Sequence, residues 1–338
     1  MTTAISWGVL GAARIAEQQI VPAVTRSNNG RVLGVSSASG RARAFAERLD
    51  IPRAYNSHAE LLADPEIDAV YIPLPNALHR HWTILAAAAG KHVLCEKPIA
   101  LAPDELTEME DACRSAGVHL SEAFMYRRHP QIDRVRELLS AGSIGDVRAV
   151  SARFHFLMNT TPGTDIRLDA TLGGGALRDV GCYPIDLMNL LLDGPPAEVA
   201  AVRSQPDGVG VEIALAAVLR YANGVMGTFS CGFESPTMDH CLILGNGGSI
   251  EIRHPFRPDP SNGVIVVSTG NLSESIEVDG DAYRSQVEEF ARQILDNTPD
   301  TEEMRLSRWT VETTHRLARA ARLPETRRLP HLTTALRS

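Results

Sequence analysis

The strongest constraint on the fold is a regular alternation of short apolar runs and amphipathic segments over the first third of the chain. The apolar runs are bounded by Gly, Ser or Pro, which predicts β-strands, and the segments between them have helical periodicity. Strands separated by helices at this spacing form right-handed βαβ crossovers and a parallel sheet. The predicted strands are 5–10, 31–36, 68–74, 92–96 and 118–123, and the predicted helices are 14–27, 41–49, 76–89 and 103–116.

The pattern changes after residue 124. Short strand-like segments now follow one another, and Asn223-Gly224 and Asn246-Gly247 are typical hairpin turns, which favours a largely antiparallel sheet. We therefore predict an α/β chain with a dinucleotide-binding domain at 1–123 and a substrate-binding and oligomerisation domain at 124–338. In the second domain we predict strands 147–156, 198–203, 212–221, 225–231, 239–244, 249–252 and 264–268, and helices 130–141, 283–295 and 305–321.

Length and composition narrow the class of protein. A chain of 338 residues suits two domains, and 44% hydrophobic with 22% charged residues is typical of a globular protein. The net charge of -8 argues against nucleic-acid binding, which needs a basic surface. No secretory signal or membrane-length apolar run is visible, and the five cysteines lack the spacing of a metal or disulfide framework. We expect a cytoplasmic protein without a metal.

The first predicted strand leads into Gly11-Ala12-Ala13-Arg14-Ile15-Ala16, a GxGxxA fingerprint with Ala13 in place of the middle glycine. Gly11 permits a tight turn, Ala16 lets the helix pack closely, and the helix N-terminus supplies amide donors to a pyrophosphate. Placed between a strand and a helix, this motif predicts a dinucleotide site. A simple strand-to-helix turn of small residues is the alternative.

The end of the second strand bears on the choice of cofactor. An enzyme that uses NAD usually has Asp or Glu there for the ribose hydroxyls, but this chain reads Val35-Ser36-Ser37-Ala38-Ser39-Gly40-Arg41. Ser37 can bond a 2′-phosphate and Arg41 can pair with its charge. The sequence therefore favours NADP, with NAD possible, and Arg41 as an ordinary solvated helix residue is the alternative.

Two further motifs carry potential chemistry. Glu96-Lys97-Pro98 follows the fifth strand, at the edge where an open parallel sheet binds ligands, and Lys97 can hold a reacting oxygen or lower the pKa of a neighbouring acid. Asp179 and Tyr183, four residues apart after the glycine run 173–175, share one helical face. Taken alone, the sequence is equally compatible with a structural role for both residues, with Asp179 as a helix cap and Tyr183 as an aromatic residue of the core. Pro184 leaves open where the helix begins.

Four segments together resemble the Gfo/Idh/MocA family of glucose–fructose oxidoreductase and inositol dehydrogenase-like enzymes: GVLGAARIA, AVYIPLPNALHRHW, AGKHVLCEKPIAL and GGGALRDVGCYPIDLMNLLL. The resemblance covers nearly the whole chain in order and spacing. It implies a Rossmann domain followed by an α/β domain with an open, mostly antiparallel sheet. Many members have His four residues after the aspartate. Tyr183 at that position resembles the branch that contains glucose–fructose oxidoreductase, dimeric dihydrodiol dehydrogenase, NADP-dependent xylose dehydrogenases and deoxysugar ketoreductases.

The resemblance also implies the roles of individual residues. Lys97, Tyr183 and Asp179 are implied to be catalytic, with Tyr183 as the general acid/base and Asp179 binding the substrate. The predicted cofactor contacts are Gly11, Ala12, Ala13, Arg14, Ile15, Ser37, Arg41, Leu74, Pro75, Asn76, His79, Glu96, Lys97, Pro98 and Arg167. The predicted substrate contacts are Tyr126, Arg127, Phe156, Asp179, Tyr183 and Tyr283.

We thus expect reversible hydride transfer between NADP and a carbinol or carbonyl carbon of a sugar or sugar derivative. A trans-1,2-dihydrodiol dehydrogenase is the alternative enzyme, and an inactive NAD(P)-binding sensor or scaffold is the alternative from another class. The sequence leaves the sugar or diol, the reacting carbon and the direction open. A homodimer or homotetramer is expected, with neither nucleic acid nor membrane as a partner.

Overall fold

The computed structural model describes residues 4–258 and 263–323. In the first part of the chain, β-strands alternate with helices, as the hydrophobic pattern predicts. The strands are β1 Ile5–Leu10, β2 Gly30–Ser36, β3 Arg53–Tyr55, β4 Ala69–Ile72, β5 His92–Cys95 and β6 Leu120–Glu122. The helices are α1 Val21–Arg26, which continues a π-helical turn at Ala16–Ile20, α2 Ala42–Arg48, α3 His58–Leu62, α4 His79–Ala88 and α5 Pro103–Ala116.

These six strands form one parallel sheet in the order β3-β2-β1-β4-β5-β6. Every residue of β1 and of β4 is buried, which is typical of parallel strands covered on both faces. From β1 the chain builds the sheet first toward β3 and then, from β4 onward, toward β6, so the strand order reverses between β1 and β4. In open sheets of this kind, ligands bind at the carboxyl ends of the strands beside such a switch point. The predicted parallel Rossmann sheet is confirmed.

The second part of the chain contributes a mixed sheet of eight strands. Its elements are α6 Pro130–Ser140, β7 Val147–Leu157, α7 Cys182–Leu191, β8 Glu198–Ser204, β9 Ala214–Arg220, β10 Met226–Gly232, β11 Glu234–Gly245, β12 Ser249–Ile252, β13 Gly263–Thr269 and β14 Leu272–Val278. The order is β14-β13-β12-β11-β7-β10-β9-β8, and all neighbours are antiparallel except β7 and β10. The predicted open, mostly antiparallel sheet is confirmed.

Side chains of this second sheet alternate between a buried and an open face. In β9, Leu215, Ala217 and Leu219 are buried, whereas Ala216 and Val218 between them are exposed. Alternation of this kind shows that one face packs against the core and the other faces outward.

Three elements were not predicted. β3 is three residues long and includes Arg53 and Tyr55, so it has no apolar run to detect. The five-residue helix α3 follows it and is too short for a helical period. β14 is the edge strand of the second sheet, and most of its residues are exposed, which removes the apolar alternation that marks a strand.

The chain divides into two compact units. The first contains the chain up to Phe124 together with Tyr283–Arg305, and the second contains Met125–Ala282 and the stretch from Leu306. Helix α8, Ala282–Asp296, explains the returning segment: Phe290 packs against Trp7 at 5.7 Å between ring centroids, and Glu288 accepts a hydrogen bond from the Asn28 amide. The predicted division at 123/124 had placed this segment in the second domain by chain order alone. A last helix, α9, covers Thr301–Ala320.

None of the helices in the described part of the chain is both long and apolar enough to cross a bilayer. Within residues 4–258 and 263–323, His, Cys, Asp and Glu side chains form no group of three or more suited to a metal ion. All five cysteines are buried free thiols.

Candidate active site

The turn after β1 needs a glycine. Gly11 has φ of +124°, and a Cβ there would lie 3.1 Å from Cδ2 of Leu74, so a side chain would be both strained and crowded. The Gly11 amide donates to Ser36 O at 2.9 Å, which ties the turn to the end of β2. Ala16, at the first turn of the following helix, is fully buried. The fingerprint positions therefore provide the close approach between strand, turn and helix that a dinucleotide site requires.

A chain of three side chains follows the end of β2. Ser37 is buried, its hydroxyl lies 3.0 Å from that of Ser39, and Arg41 Nε donates to Ser39 Oγ at 2.9 Å. Arg41 itself is exposed and precedes α2. Ser39 thus links the two residues predicted to face a 2′-phosphate, a role that the sequence pattern did not show.

The segment after β5 is fixed by two carboxylates. Both oxygens of Glu96 are bonded: one accepts from the Tyr71 hydroxyl and the other from the Lys97 amide at 3.1 Å. The buried Glu122 accepts from the Ile99 amide at 2.9 Å. Lys97 is therefore held on a tethered backbone at the carboxyl edge of the parallel sheet, with its side chain half-buried. Tyr71 and Glu122 were not predicted as part of this arrangement.

His79, a predicted cofactor contact, is fully buried and links two loops. Its Nε2 lies 2.8 Å from Leu74 O and its Nδ1 lies 2.9 Å from Pro98 O. Burial is the main cause that lowers the pKa of this imidazole to about 4; the two backbone carbonyls act in the opposite direction, and the nearby charge of Lys97 acts in the same direction as burial. A neutral ring carries one N–H, so it donates to one of the two carbonyls at a time. His79 therefore acts on the site by holding the loops after β4 and β5.

The helix that carries Asp179 and Tyr183 begins with a π-helical turn at Leu177–Gly181 and continues as α7. It thus starts before Asp179, which settles the point that Pro184 left open. Proline lacks an amide hydrogen and its ring crowds the carbonyl four residues earlier, so a helix widens or bends in the turn before it. The π-turn lies in the turn before Pro184.

Asp179 is paired with Arg167. Arg167 Nε donates to Asp179 Oδ2 at 2.8 Å, and Arg167 Nη1 reaches Asp165 Oδ1 at 3.2 Å. The Asp179 charge is the main reason that the pKa of Arg167 is raised. The Arg167 guanidinium also lies 6.0 Å from the ring centroid of Phe156. Arg167 was predicted as a cofactor contact, and the structure places it beside the predicted substrate acid.

Tyr183 lies in a cluster of aromatic side chains. Its ring centroid is 5.1 Å from that of Phe154, 5.5 Å from Phe256 and 6.0 Å from Tyr126. Its hydroxyl lies 3.9 Å from Met125 Sδ, and 6% of the residue remains exposed. Edge-to-face contacts such as that with Phe154 fix a ring in one orientation, so the position of the phenol is closely defined.

Glu212 holds the start of the helix that carries Tyr183 and confines Gly175. Its carboxylate accepts from the Leu177 amide at 2.9 Å and its backbone carbonyl from the Ala176 amide at 3.0 Å, so one residue holds the start of the Tyr183 helix. A Cβ on Gly175 would lie 2.5 Å from Glu212 Oε1, and one on Gly174 would lie 2.3 Å from Arg167 O. Burial raises the pKa of Glu212. A lone carboxylate in the apolar stretch VEIALAAV is the signal that could have identified it.

Tyr126 and Arg127, two predicted substrate contacts, belong to a buried ionic cluster around Asp186. Arg127 Nε donates to Asp186 Oδ2 at 2.9 Å, Thr310 Oγ1 donates to Asp186 Oδ1 at 2.8 Å, and the Tyr126 hydroxyl bonds the same carboxylate. Asp186 is fully buried and Arg127 Nη1 reaches Ser307 Oγ at 3.2 Å. The polar atoms of Tyr126 and Arg127 are thus committed to the core, because a buried carboxylate needs these donors.

The predicted residues divide between the two units. The fingerprint, Ser37, Arg41, the loop from Leu74 to His79 and Lys97 lie in the first unit, as does Tyr283 near the start of α8. In the second unit, the structure brings together Phe156, Arg167 and Asp179, and separately Tyr126 and Tyr183.

Known protein families match both units. Residues 5–124 match the oxidoreductase family with the NAD-binding Rossmann fold, and residues 132–251 match the GFO/IDH/MocA C-terminal domain. The chain belongs to the Gfo/Idh/MocA oxidoreductase family. The resemblance in the sequence motifs is thereby confirmed.

Relatives of this Gfo/Idh/MocA oxidoreductase include D-xylose 1-dehydrogenase (NADP⁺) 2 of Haloferax volcanii, 38% identical over 85% of this chain and 88% of the relative. The trans-1,2-dihydrobenzene-1,2-diol dehydrogenase of Mus musculus is 32% identical over 75% of this chain and 76% of its own. Among solved structures, a 3-ketoreductase of Actinomadura kijaniata in complex with NADP and TDP-benzene is 30% identical, with a TM-score of 0.89 over 94% of this chain and 98% of the other.

Proposed function

We propose that this chain is an NADP(H)-dependent oxidoreductase acting on a carbinol or carbonyl carbon of a sugar or sugar derivative, with Tyr183 as general acid/base. The observation that carries the proposal is the position of Tyr183 on the helix that also bears Asp179, with its ring fixed by Phe154 and Phe256. A phenol held in one place can exchange a proton with a substrate oxygen. The D-xylose 1-dehydrogenase relative and the 3-ketoreductase with bound NADP support an oxidoreductase of this kind.

The roles of three residues follow from this proposal. Tyr183 passes a proton to or from the substrate oxygen, and the family resemblance implies that Lys97 assists this transfer. Asp179, oriented by Arg167, accepts a hydrogen bond from an adjacent hydroxyl of the substrate. The role of Lys97 is carried by the family resemblance and by its tethered backbone after β5.

A nicotinamide dinucleotide fits the residues of the first unit and, when bound, supplies or accepts the hydride. Gly11 leaves room for a close approach to the turn after β1. Leu74, Pro75 and Asn76 border the carboxyl edge of the sheet, with Glu96, Lys97 and Pro98 after the next strand. We propose NADP because the segment 37–41 directly after β2 contains no carboxylate. In that segment Ser37, Ser39 and Arg41 offer hydroxyls and a guanidinium for a 2′-phosphate. The xylose dehydrogenase and the solved ketoreductase are named with NADP.

A trans-1,2-dihydrodiol dehydrogenase is the second candidate. The apolar surroundings of Tyr183, with Phe154, Phe256 and Met125, suit a flat hydrocarbon ring, and one relative has this activity by name. The Arg167–Asp179 pair is polar and suits a sugar better.

An assay separates these possibilities. Purified protein is given NADP⁺ or NAD⁺ with aldoses and trans-dihydrodiols, and NADPH or NADH with ketosugars, while cofactor binding is followed by fluorescence. Turnover of sugars with NADP(H) supports the main proposal, and turnover of dihydrodiols alone supports the second. Binding of NADPH without turnover of any substrate favours a sensor or scaffold.

We also propose that the chain forms a homodimer or homotetramer in the cytoplasm. The open face of the second sheet carries Val202 at 72%, Val218 at 45% and Met226 at 39% exposure, an apolar surface that a second copy can cover. Light scattering of the wild type and of Val218→Glu tests this, because a charge on the covered face should give monomers. Five buried free thiols suit a reducing compartment.

A further inference from the structure

We propose that Asp239 is a positioning residue for Tyr183: its carboxylate grips two successive backbone amides and thereby fixes the ring of Phe256 against the tyrosine. The inference rests on the proposed role of Tyr183 as the general acid/base. It concerns a part of the second unit that neither the fingerprint motifs nor the aspartate–tyrosine pair includes.

Both carboxylate oxygens of the buried Asp239 side chain accept hydrogen bonds, and this pair of bonds is called the grip below. Asp239 lies on β11, opposite Phe154 of β7, and only 6% of it is exposed. Oδ1 accepts from the Phe256 amide at 3.1 Å, and Oδ2 accepts from the Arg257 amide at 2.8 Å. These two bonds hold the segment after β12, which has left the sheet ladder and needs other acceptors for its amides.

The segment bound by Asp239 places the ring of Phe256 at the centre of the aromatic cluster. Phe256 is fully buried, stacks on Phe154 at 5.3 Å between centroids, and meets Tyr126 edge-on at 5.6 Å. It also contacts the Tyr183 ring at 5.5 Å. Phe154 and Tyr126, which both contact Tyr183, thus also contact Phe256, so displacing Phe256 would loosen the ring that carries the phenol.

The strength of the grip depends on the charge of Asp239. Burial raises the pKa of this carboxyl to about 7, while the two backbone amides and the Arg257 charge act in the opposite direction. Cys241, two residues further along β11, also interacts with Asp239, whose charge raises the pKa of this thiol. The carboxylate accepts both amide bonds, whereas the protonated acid carries a hydrogen on one oxygen and is a poorer acceptor. Lowering the pH through about 7 should therefore loosen Phe256.

The variant Asp239→Asn tests the grip, because its amide can accept one of the two bonds but opposes the other with an NH₂ group. Hydrogen exchange at pH 8, where the wild-type carboxylate is charged, should be faster at Phe256 and Arg257 in the variant. Glu277→Gln, an exposed carboxylate on β14, is the matched control and should leave exchange at these amides unchanged.

The kinetic readout is the pH profile of kcat. The wild type should lose kcat as the pH falls through about 7, whereas Asp239→Asn should lack this step and have a kcat about tenfold lower at pH 8, with the KM for NADPH unchanged. Phe256→Leu keeps the grip but removes the ring contacts, and it should lower kcat similarly, which keeps the test valid if Asp239→Asn does not fold.

Three results would separate the inference from the proposed function. Wild-type exchange and an unaltered kcat profile in Asp239→Asn, or an unaltered kcat in Phe256→Leu, would overturn the positioning role while Tyr183→Phe remains inactive. Full turnover by Tyr183→Phe would instead overturn the acid/base assignment and the positioning role together. Faster exchange with a lost pH step supports the inference.

Discussion

Arg167 Nε donates to Asp179 Oδ2 at 2.8 Å, so the acid predicted to bind substrate is oriented by a guanidinium twelve residues before it in the chain. The same arginine reaches Asp165 and lies over Phe156. A charge-assisted bond of this kind holds a carboxylate in one rotamer.

We expect Arg167→Leu to raise the KM for the sugar about tenfold, because Asp179 loses the bond that orients it. The cofactor KM should change little. Arg148→Leu, which breaks the exposed pair of Arg148 with Asp146, is the control and should leave both constants unchanged. Steady-state kinetics measure all of these values, and an unchanged sugar KM in Arg167→Leu would show that the pair has no part in substrate binding.

The cofactor assignment depends on the cluster after β2. Arg41→Ala should raise the KM for NADPH about tenfold while leaving that for NADH nearly constant, since only the former has a phosphate to pair with the guanidinium. Arg43→Ala, two residues further along α2 and also exposed, is the matched control. Equal use of the two cofactors by the wild type, or no change of preference in Arg41→Ala, would contradict the NADP assignment.

Gly175 should not tolerate a side chain. Gly175→Ala places a Cβ against the Glu212 carboxylate at a residue with φ of +112°, so we expect a loss of about 3 kcal/mol in the free energy of unfolding. Gly208 has φ of +79° with open space around it, so Gly208→Ala should lose only the strain, about 1 kcal/mol. Urea denaturation compares the two. Equal losses would mean that Glu212 does not confine the chain at Gly175.

The cluster around Asp186 predicts effects on stability rather than on substrate affinity. Arg127→Met leaves a buried carboxylate without its cation and should cost about 3–5 kcal/mol, part of which Arg127→Met with Asp186→Leu should restore. Tyr126→Phe should cost about 1 kcal/mol without a change in the sugar KM. An increase in KM in a stable Tyr126→Phe variant would instead support the substrate contact that the sequence predicts.

The sequence predicted the fold correctly wherever burial leaves a recognisable pattern of apolar residues. β1 and α5 have the predicted bounds because a fully buried strand and a helix with Pro103 in its first turn leave unambiguous patterns. β3 and β14 were missed because they are short or exposed. Helix α8 packs in the first unit through the contact between Phe290 and Trp7, and no local sequence pattern connects these two residues.

The sequence motifs identified the candidate catalytic residues but not the side chains that bind and orient them. Lys97, Asp179 and Tyr183 stand in recognisable segments, but several residues that hold these segments, such as Glu122, Glu212 and Phe256, lie far away in sequence. Glu212 and Asp186 each appear as one carboxylate in an apolar run, which signals a buried partner without saying which. The positions of Tyr126 and Arg127 in the chain likewise do not reveal that Asp186 engages their polar atoms.

The central claim is that Tyr183 exchanges the proton during hydride transfer. Its most direct test is the kcat of Tyr183→Phe on the substrate found in the assay above, with NADPH binding measured on the same sample. We predict unchanged NADPH affinity and a kcat at least about 100-fold below the wild type, since the ring contacts remain and only the acid/base group is lost. Wild-type turnover by Tyr183→Phe would contradict this account.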